Sequence, residues 1–356
     1  MSLWKIKKRR NSKTRPRRDM PRGIWLPPPV KSWRRRFFWA GFVALLLFAA
    51  LWTADEIYRW RSNLVLWAYR DSNAVLEVKL ADKWKPITGV SMRELDVALG
   101  DLSEEEGFRM AELTMRRRAV TAMQKCASLL CDMKVTVLLI SAAKTQFSTS
   151  FKPQFELTTA RERLQAEDAL FSITANFRDP KGKPMGWVVH KGEQVNRPFP
   201  AWTGVFFVKN GKPWFGPKSL VDEVPGEIEE GTQGYPSVMK NHTVFNYIDL
   251  APDKFFDGRR ITYRALAGTR RSGDVVFVLS GEGGVMNVSE VTALAERLQV
   301  QHATLLDGGR ALQYSTNLKG MGRRHFRAFN TQVNWGPPWM HSQRSPVYIV
   351  VKKRTA

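Results

Sequence analysis

Residues 287–309 read NVSEVTALAERLQVQHATLLDGG, from Asn287 to Gly309. The stretch opens as a helix over Val288 to Gln299, because Asn287 and Glu290 have the spacing of a capping box. It continues as an apolar strand over Ala303 to Leu306 and ends in Asp307-Gly308-Gly309. A strand that finishes this way lifts a carboxylate to the end of a buried element and lets backbone approach whatever lies there. Taken alone, Asp-Gly is also an ordinary turn.

Working outward from this unit, the chain from Lys134 has the texture of strands. They are predicted at Val135 to Ile140, Phe171 to Thr174, Gly186 to His190, Gly204 to Lys209, Ile261 to Leu266, Val275 to Ser280 and Val347 to Lys352. One more helix is predicted at Thr159 to Ala169, opened by Thr159 and Glu162. Short, glycine-bearing connections without regular βα alternation give an α+β fold, a mixed sheet domain with a few helices. Its expected extent is 133–356.

Residues 55–132 are read as a helical spacer in front of that domain. A short strand at Leu76 to Leu80 is followed by a helix opened by Ser91 and Glu94 and closed near Gly100. A second helix is expected from Ser103, with Phe108, Ala111, Met115, Ala119, Ala122, Met123 and Cys126 on one face. Cys126 and Cys131 are the two cysteines of the chain. They are read either as a disulfide in an oxidising compartment or as two small buried thiols.

Charge is uneven along the 356 residues. The net charge is +23, and residues 1–36 hold 14 Lys or Arg against Asp19 alone, which leaves about +10 for the rest. The apolar run 37–54, FFWAGFVALLLFAALWTA, follows directly and carries no charge. Eighteen residues give roughly 27 Å of helix, enough to span a bilayer core. Trp33, Trp39 and Trp52 lie near its two ends, where indoles favour the interface. The run is therefore read as a transmembrane signal anchor. Residues 1–36, which include Pro27-Pro28-Pro29, are then a cytoplasmic tail, and the C-terminal domain is periplasmic or extracellular. A basic arm beside a membrane span marks topology rather than nucleic acid, and no nucleic-acid partner is expected.

Four further segments sit in order before Leu306-Asp307-Gly308-Gly309-Arg310-Ala311 or after it. They are Thr174-Ala-Asn176-Phe-Arg-Asp179 with the glycines that follow, Gln233-Gly-Tyr-Pro236, Arg264-Ala-Leu-Ala-Gly268, and Arg344-Ser-Pro346-Val347. In this order residues 134–352 resemble the phosphodiester glycosidase family, which includes the enzyme that uncovers mannose 6-phosphate on lysosomal glycoproteins. The chain departs from the family pattern at Thr174, Asn176, Tyr235 and Arg310-Ala311.

The resemblance implies a hydrolase of sugar 1-phosphodiester bonds, acting on envelope glycans or lipids through an anionic sugar-phosphate substrate. Cleavage at the anomeric carbon develops oxocarbenium character and releases a phosphate, which calls for a carboxylate and for cationic donors. Asp307 and Arg264 are the implied catalytic pair, with Asp307 as base, nucleophile or electrostatic stabiliser and Arg264 holding the phosphate. Gln233, Asn176, Asp179, Arg310, Gly308 and Gly309 are the implied substrate-binding residues, and Glu282 is a further candidate acid. The departures at Thr174, Arg310 and Ala311 keep a second reading open, an inactive glycan-binding or scaffold protein on the same fold. Trp335 to Trp339 with His341 is a candidate cleft lining. The sequence has no spaced metal-ligand pair, no Ser-His-Asp set and no phosphate-binding glycine loop, so no metal or cofactor is expected.

Overall fold

In the computed structural model, residues 31–103, 106–246, 257–320, 322–328 and 344–354 are described. Most of the basic tail and the Trp335 to His341 segment lie outside them. In chain order the elements are α1 (Lys31–Tyr69), β1 (Leu76–Leu80), β2 (Lys83–Pro86), α2 (Met92–Ala98), β3 (Gly100–Ser103), β4 (Phe108–Arg117), α3 (Ala122–Leu130), β5 (Met133–Ile140), β6 (Thr145–Phe151), α4 (Ala160–Ala166) and β7 (Phe171–Thr174). There follow β8 (Val188–His190), β9 (Glu193–Asn196), β10 (Gly204–Lys209), β11 (Lys212–Pro217), α5 (Leu220–Glu223), β12 (Ile228–Gly234), β13 (Ser237–Lys240), β14 (Thr243–Val244), β15 (Ala265–Arg270), β16 (Val275–Ser280), α6 (Val288–Arg297), β17 (Val300–Leu305), β18 (Gln313–Leu318), β19 (Gly322–Arg327) and β20 (Val347–Lys353).

The chain divides into two units, Met1–Ala54 and Asp55–Ala356. In the first, Arg35–Ala54 is a helical stretch of 20 residues with mean hydropathy 2.0 and none of it buried, long and apolar enough to cross a membrane. In the second, the strands form three sheets. A ten-stranded sheet runs β14-β13-β17-β15-β16-β5-β4-β1-β2, with β3 also on β4, and two five-stranded sheets run β11-β10-β12-β8-β9 and β19-β18-β7-β20-β6. The fold is α+β.

The three sheets share one core. Phe147 of β6, Phe171 of β7, Phe206 of β10, Phe215 of β11 and Phe277 of β16 are all buried, and their rings meet at 5.0 Å (Phe171–Phe277), 4.8 Å (Phe206–Phe215) and 5.5 Å (Phe215–Phe277). Aromatic pairs at these spacings add about 0.5–1.5 kcal/mol each beyond the area they bury.

The expected helical spacer is not a separate element. Residues 55–132 supply four strands to the ten-stranded sheet, and β4 pairs with β5 from Phe108↔Ile140 to Met115↔Met133. The segment expected as one helix from Ser103 to Cys126 is strand β4 followed by the short helix α3, which opens on its own capping box, Thr121 with Gln124. The buried residues Phe108, Met110, Leu113, Met115 and Arg117 follow a strand period better than the helical one. The last turns of α1 also belong to this core, with Val65, Leu66 and Tyr69 buried. Cys126 is exposed and Cys131 buried, and both are free thiols.

Glycines in the quoted motifs set the distance between strands. A Cβ on Gly234 falls 2.4 Å from the Leu305 carbonyl oxygen, and one on Gly268 falls 2.6 Å from that of His302. These are backbone atoms of the central strand β17, which cannot swing aside. Gly234→Ala is expected to destabilise the fold by about 1–3 kcal/mol, read as a lowered urea midpoint at unchanged slope. A midpoint equal to that of the parent protein would show that the strand has room to move.

Candidate active site

Strand β17 lies between β13 and β15 in the ten-stranded sheet and delivers Asp307 just past its end. Leu306 N donates to the Ala265 carbonyl at 2.9 Å, and Asp307 N donates to the Ala175 carbonyl at 3.3 Å. The loop after β7 is thereby joined to the loop after β17, and residues 175–178 and 307–310 are brought together. Gly309 N donates to the Tyr263 carbonyl at 2.7 Å. The two glycines serve this contact: a Cβ on Gly308 falls 2.8 Å from the Tyr263 carbonyl oxygen, and Gly309 has φ +56°. Their small size thus admits the neighbouring chain rather than a ligand.

Asp307 is 5% exposed. Burial pushes its carboxyl up to about 8, against the opposing pull of the Arg178 and Arg310 guanidiniums. At neutral pH the group is therefore mostly protonated, a neutral acid in a desolvated position. Among the described residues, neither an ion pair nor a hydrogen bond closes on its side chain. Arg310 is exposed and leaves the carboxyl uncapped, while Arg178 is half-buried on the loop after β7.

Arg264 does not occupy the expected place over Asp307. Its backbone lies beside the 307–309 turn, but its guanidinium donates to the carbonyls of Asp257 and Arg260, both at 2.8 Å, and its Nε to that of Met286 at 3.4 Å. Burial lowers its pKa to about 10, with Asp257 and Glu290 favouring the charge, so it remains a cation at neutral pH. Its charge answers Asp257 and Glu290, whereas that of Asp307 is answered by Arg178 and Arg310. In this structure Arg264 holds the 257–260 turn against the strand that follows.

Gln233 is spent on the backbone as well. Its Oε1 accepts from Trp187 N at 2.8 Å and Phe199 N at 2.7 Å, and its Nε2 donates to the Phe199 and Trp202 carbonyls at 3.1 and 3.4 Å. Two accepted and two donated bonds exhaust the amide, so Gln233 is a clamp between loops rather than a hand for a sugar. Asp179 is a turn former, its Oδ1 accepting from Lys183 N at 2.8 Å. Glu282 lies with Arg61, which donates to it through Nε at 2.6 Å.

Asn176 is fully buried, and its Nδ2 donates to the Met185 and Trp187 carbonyls, both at 3.2 Å. Its Oδ1 is buried and unpartnered among the described residues. The expected residues that gather are thus Asp307, Gly308, Gly309, Arg310 and Asn176. Arg178 is the member that sequence reasoning passed over; its place two residues after Asn176, inside the first quoted motif, was the available signal. Among the described residues no group of three or more His, Cys, Asp or Glu is placed to hold a metal ion.

Residues 167–335 match the family described as phosphodiester glycosidase. The chain carries a phosphodiester glycosidase domain. The matched span holds both loops of the site, 175–178 and 307–310. The phosphodiester glycosidase fold is also that of the zebrafish N-acetylglucosamine-1-phosphodiester alpha-N-acetylglucosaminidase catalytic domain auto-inhibited by its pro-peptide. That likeness has TM-score 0.52 at 14% identity and covers 80% of this chain and 90% of that one. A hypothetical protein from Synechocystis is similar at TM-score 0.42 and 13% identity, over 70% of this chain and 62% of that one. A putative exported protein from Burkholderia pseudomallei is similar at TM-score 0.40 and 10% identity, over 80% and 92%. No curated protein sequence matches the chain.

Proposed function

We propose that the protein is a membrane-anchored, extracytoplasmic hydrolase of glycosyl phosphodiesters in envelope glycans or lipids, with Asp307 as its general acid. The observation that carries this reading is a buried carboxyl just past the end of a central strand, raised by desolvation and within the electrostatic reach of the Arg178 and Arg310 guanidiniums. Perturbed acids of this kind gather where proton transfer is done. Arg178 and Arg310 would hold the phosphate of the bound diester. Asp307 would give its proton to the oxygen that bridges the anomeric carbon and phosphorus. That carbon–oxygen bond breaks, the phosphomonoester leaves, and water adds to the anomeric carbon and returns a proton to the carboxylate. The unpartnered Asn176 Oδ1 is the acceptor with spare capacity for a sugar hydroxyl.

Anchoring is supported by the apolar helical stretch Arg35–Ala54 and by the 14 basic residues among positions 1–36, a charge bias that retains a tail in the cytoplasm. The inactive-protein reading gains weight if Arg310 seals Asp307. Arg310 is exposed instead, and no ion pair joins it to Asp307.

The test is a panel of sugar 1-phosphodiesters supplied to the full chain in detergent, with free sugar and phosphomonoester measured together. Equal release of both is expected. Arg178→Gln and Arg310→Gln are each expected to raise KM about tenfold or more, as loss of a charge-assisted contact does. Binding of the panel without any turnover would leave the inactive reading in place of this one.

A further inference from the structure

Helix α3, AMQKCASLL, carries apolar side chains on the face it does not bury. Gln124 and Ala127 are buried. At 3.6 residues per turn the other side holds Ala122, Met123, Cys126, Leu129 and Leu130, an unbroken arc of about 120°. All five are exposed, Met123 to 49%, Leu130 to 48% and Leu129 to 87%. Single exposed apolar residues need no explanation, but a continuous stripe on one short helix marks a surface that meets something other than water. Lys125 borders the stripe and Asp132 follows it, so charge lies at the rim and not at the centre.

The inner face fixes the direction of the helix. Gln124 Nε2 donates to the Ala68 carbonyl at 3.1 Å, Tyr69 Oη lies 2.7 Å from Ser128 Oγ, and Cys131 Sγ lies 3.8 Å from Ser62 Oγ. Residue numbers rise along α3 as they fall along the end of α1. The two are therefore antiparallel, and Leu129 and Leu130 lie at the end of α3 that approaches Ser62. Ser62 follows Ala54, the last residue of the apolar stretch, by eight residues of one helix. That is roughly 12 Å. The polar layer on one side of a bilayer is about 5–8 Å deep. A leucine side chain and a modest tilt of the helix close the difference.

We propose that the outer face of α3 lies in the headgroup layer of the membrane that anchors the chain, a second contact that holds the folded body against the bilayer. This rests on the anchoring reading above and does not depend on turnover at Asp307. Lipid is the occupant because the end of α3 that carries Leu129 and Leu130 is the end tied closest to the span. An apolar stripe with a cation at its edge is also the pattern of a helix that lies in an interface.

The chain supplies its own probe. Cys126 lies on the stripe, whereas burial pushes the Cys131 thiol up to about 11 and keeps it unreactive at neutral pH. A nitroxide is placed on Cys126 of the full chain in vesicles of phosphatidylethanolamine and phosphatidylglycerol, and its accessibility to oxygen and to a water-soluble nickel chelate gives its depth. The label is expected about 5–10 Å into the boundary between headgroups and acyl chains. In the Leu129→Glu/Leu130→Glu variant it should return to water, while the urea midpoint in detergent stays that of the parent because both side chains are exposed. A parent label that reads water, or an equal depth in the double variant, would overturn the proposal. Dipolar broadening between labels without a change in accessibility would make the stripe a contact between two copies and overturn it too. A reference label within the span, in the Ala49→Cys/Cys126→Ser variant, separates this contact from the anchoring reading. If that label reads hydrocarbon while Cys126 reads water, the contact fails and the anchoring stands. If both read water, the anchoring fails and the contact fails with it.

Discussion

Asp307→Asn is expected to lower kcat/KM for sugar 1-phosphodiesters by about 10²–10⁴, the usual worth of a positioned acid. In the parent protein the proton-donating form is lost as pH rises through about 8, so activity should be level below that value and fall about tenfold per pH unit above it. A profile that climbs through the same region would make Asp307 the base instead. An Asn variant that keeps full activity would remove it from the reaction.

The same substitution has a second signature, in stability. An unfolded aspartate ionises near 3.8, whereas the folded group titrates at about 8. Between those values the folded state holds one proton more than the unfolded state, so stability falls as pH rises. The contribution is fully present below the unfolded value and is lost by the folded one. The span corresponds to at most about 6 kcal/mol. Asp307→Asn removes a group that must be kept desolvated, so at pH 8 the variant is expected to be more stable than the parent while being far less active. Chemical denaturation at pH 5 and pH 8 tests this: the parent should lose stability between the two, and the variant should not share that loss.

Arg117→Ala is expected to lower stability by about 3–5 kcal/mol, far more than an exposed ion pair would. Arg117 is 2% exposed and forms a fork with Glu290, Nη1 to Oε1 at 2.7 Å and Nη2 to Oε2 at 2.6 Å. Its donors also reach the Ala74 carbonyl at 2.8 Å and that of Val285 at 3.1 Å. Truncation would strand the Glu290 carboxylate and both carbonyls without their partner. Replacing both members, Arg117→Met with Glu290→Met, should recover much of the loss, since no uncompensated charge remains. Urea unfolding of the single and double variants decides the matter. A loss below about 1 kcal/mol for Arg117→Ala would mean that water reaches Glu290.

Local signals in the sequence located most of the domain. The capping boxes at Ser91, Thr159 and Asn287 are all formed, because a hydroxyl or amide followed three residues later by a carboxylate closes on itself without help from the rest of the chain. Strands β10 and β16 fall at the residues expected from their apolar runs. The segment that misled was 103–126. Phe108, Ala111 and Met115 fit a helical stripe, and only the pairing of β4 with β5, which is not written locally, makes it a strand. The site was legible in the same uneven way. Asp307 could be found because a strand end and two glycines mark it. The companions of a guanidinium are set by tertiary structure, so nothing near Arg264 announced that its donors would go to the carbonyls of the 257–260 turn. The neighbours of Arg178 did not reveal that its charge would act on Asp307.

Under the proposed anchoring, the place of Arg61, Val65 and Tyr69 in the folded body limits where the chain could be cut to leave that body intact. Arg61 is paired with Glu282, and Val65 and Tyr69 are fully buried a turn or two later. A protease that frees the body with its fold intact must therefore cut before Arg61. A cut after Tyr69 would remove Val65 and Tyr69 from the core and destabilise the body.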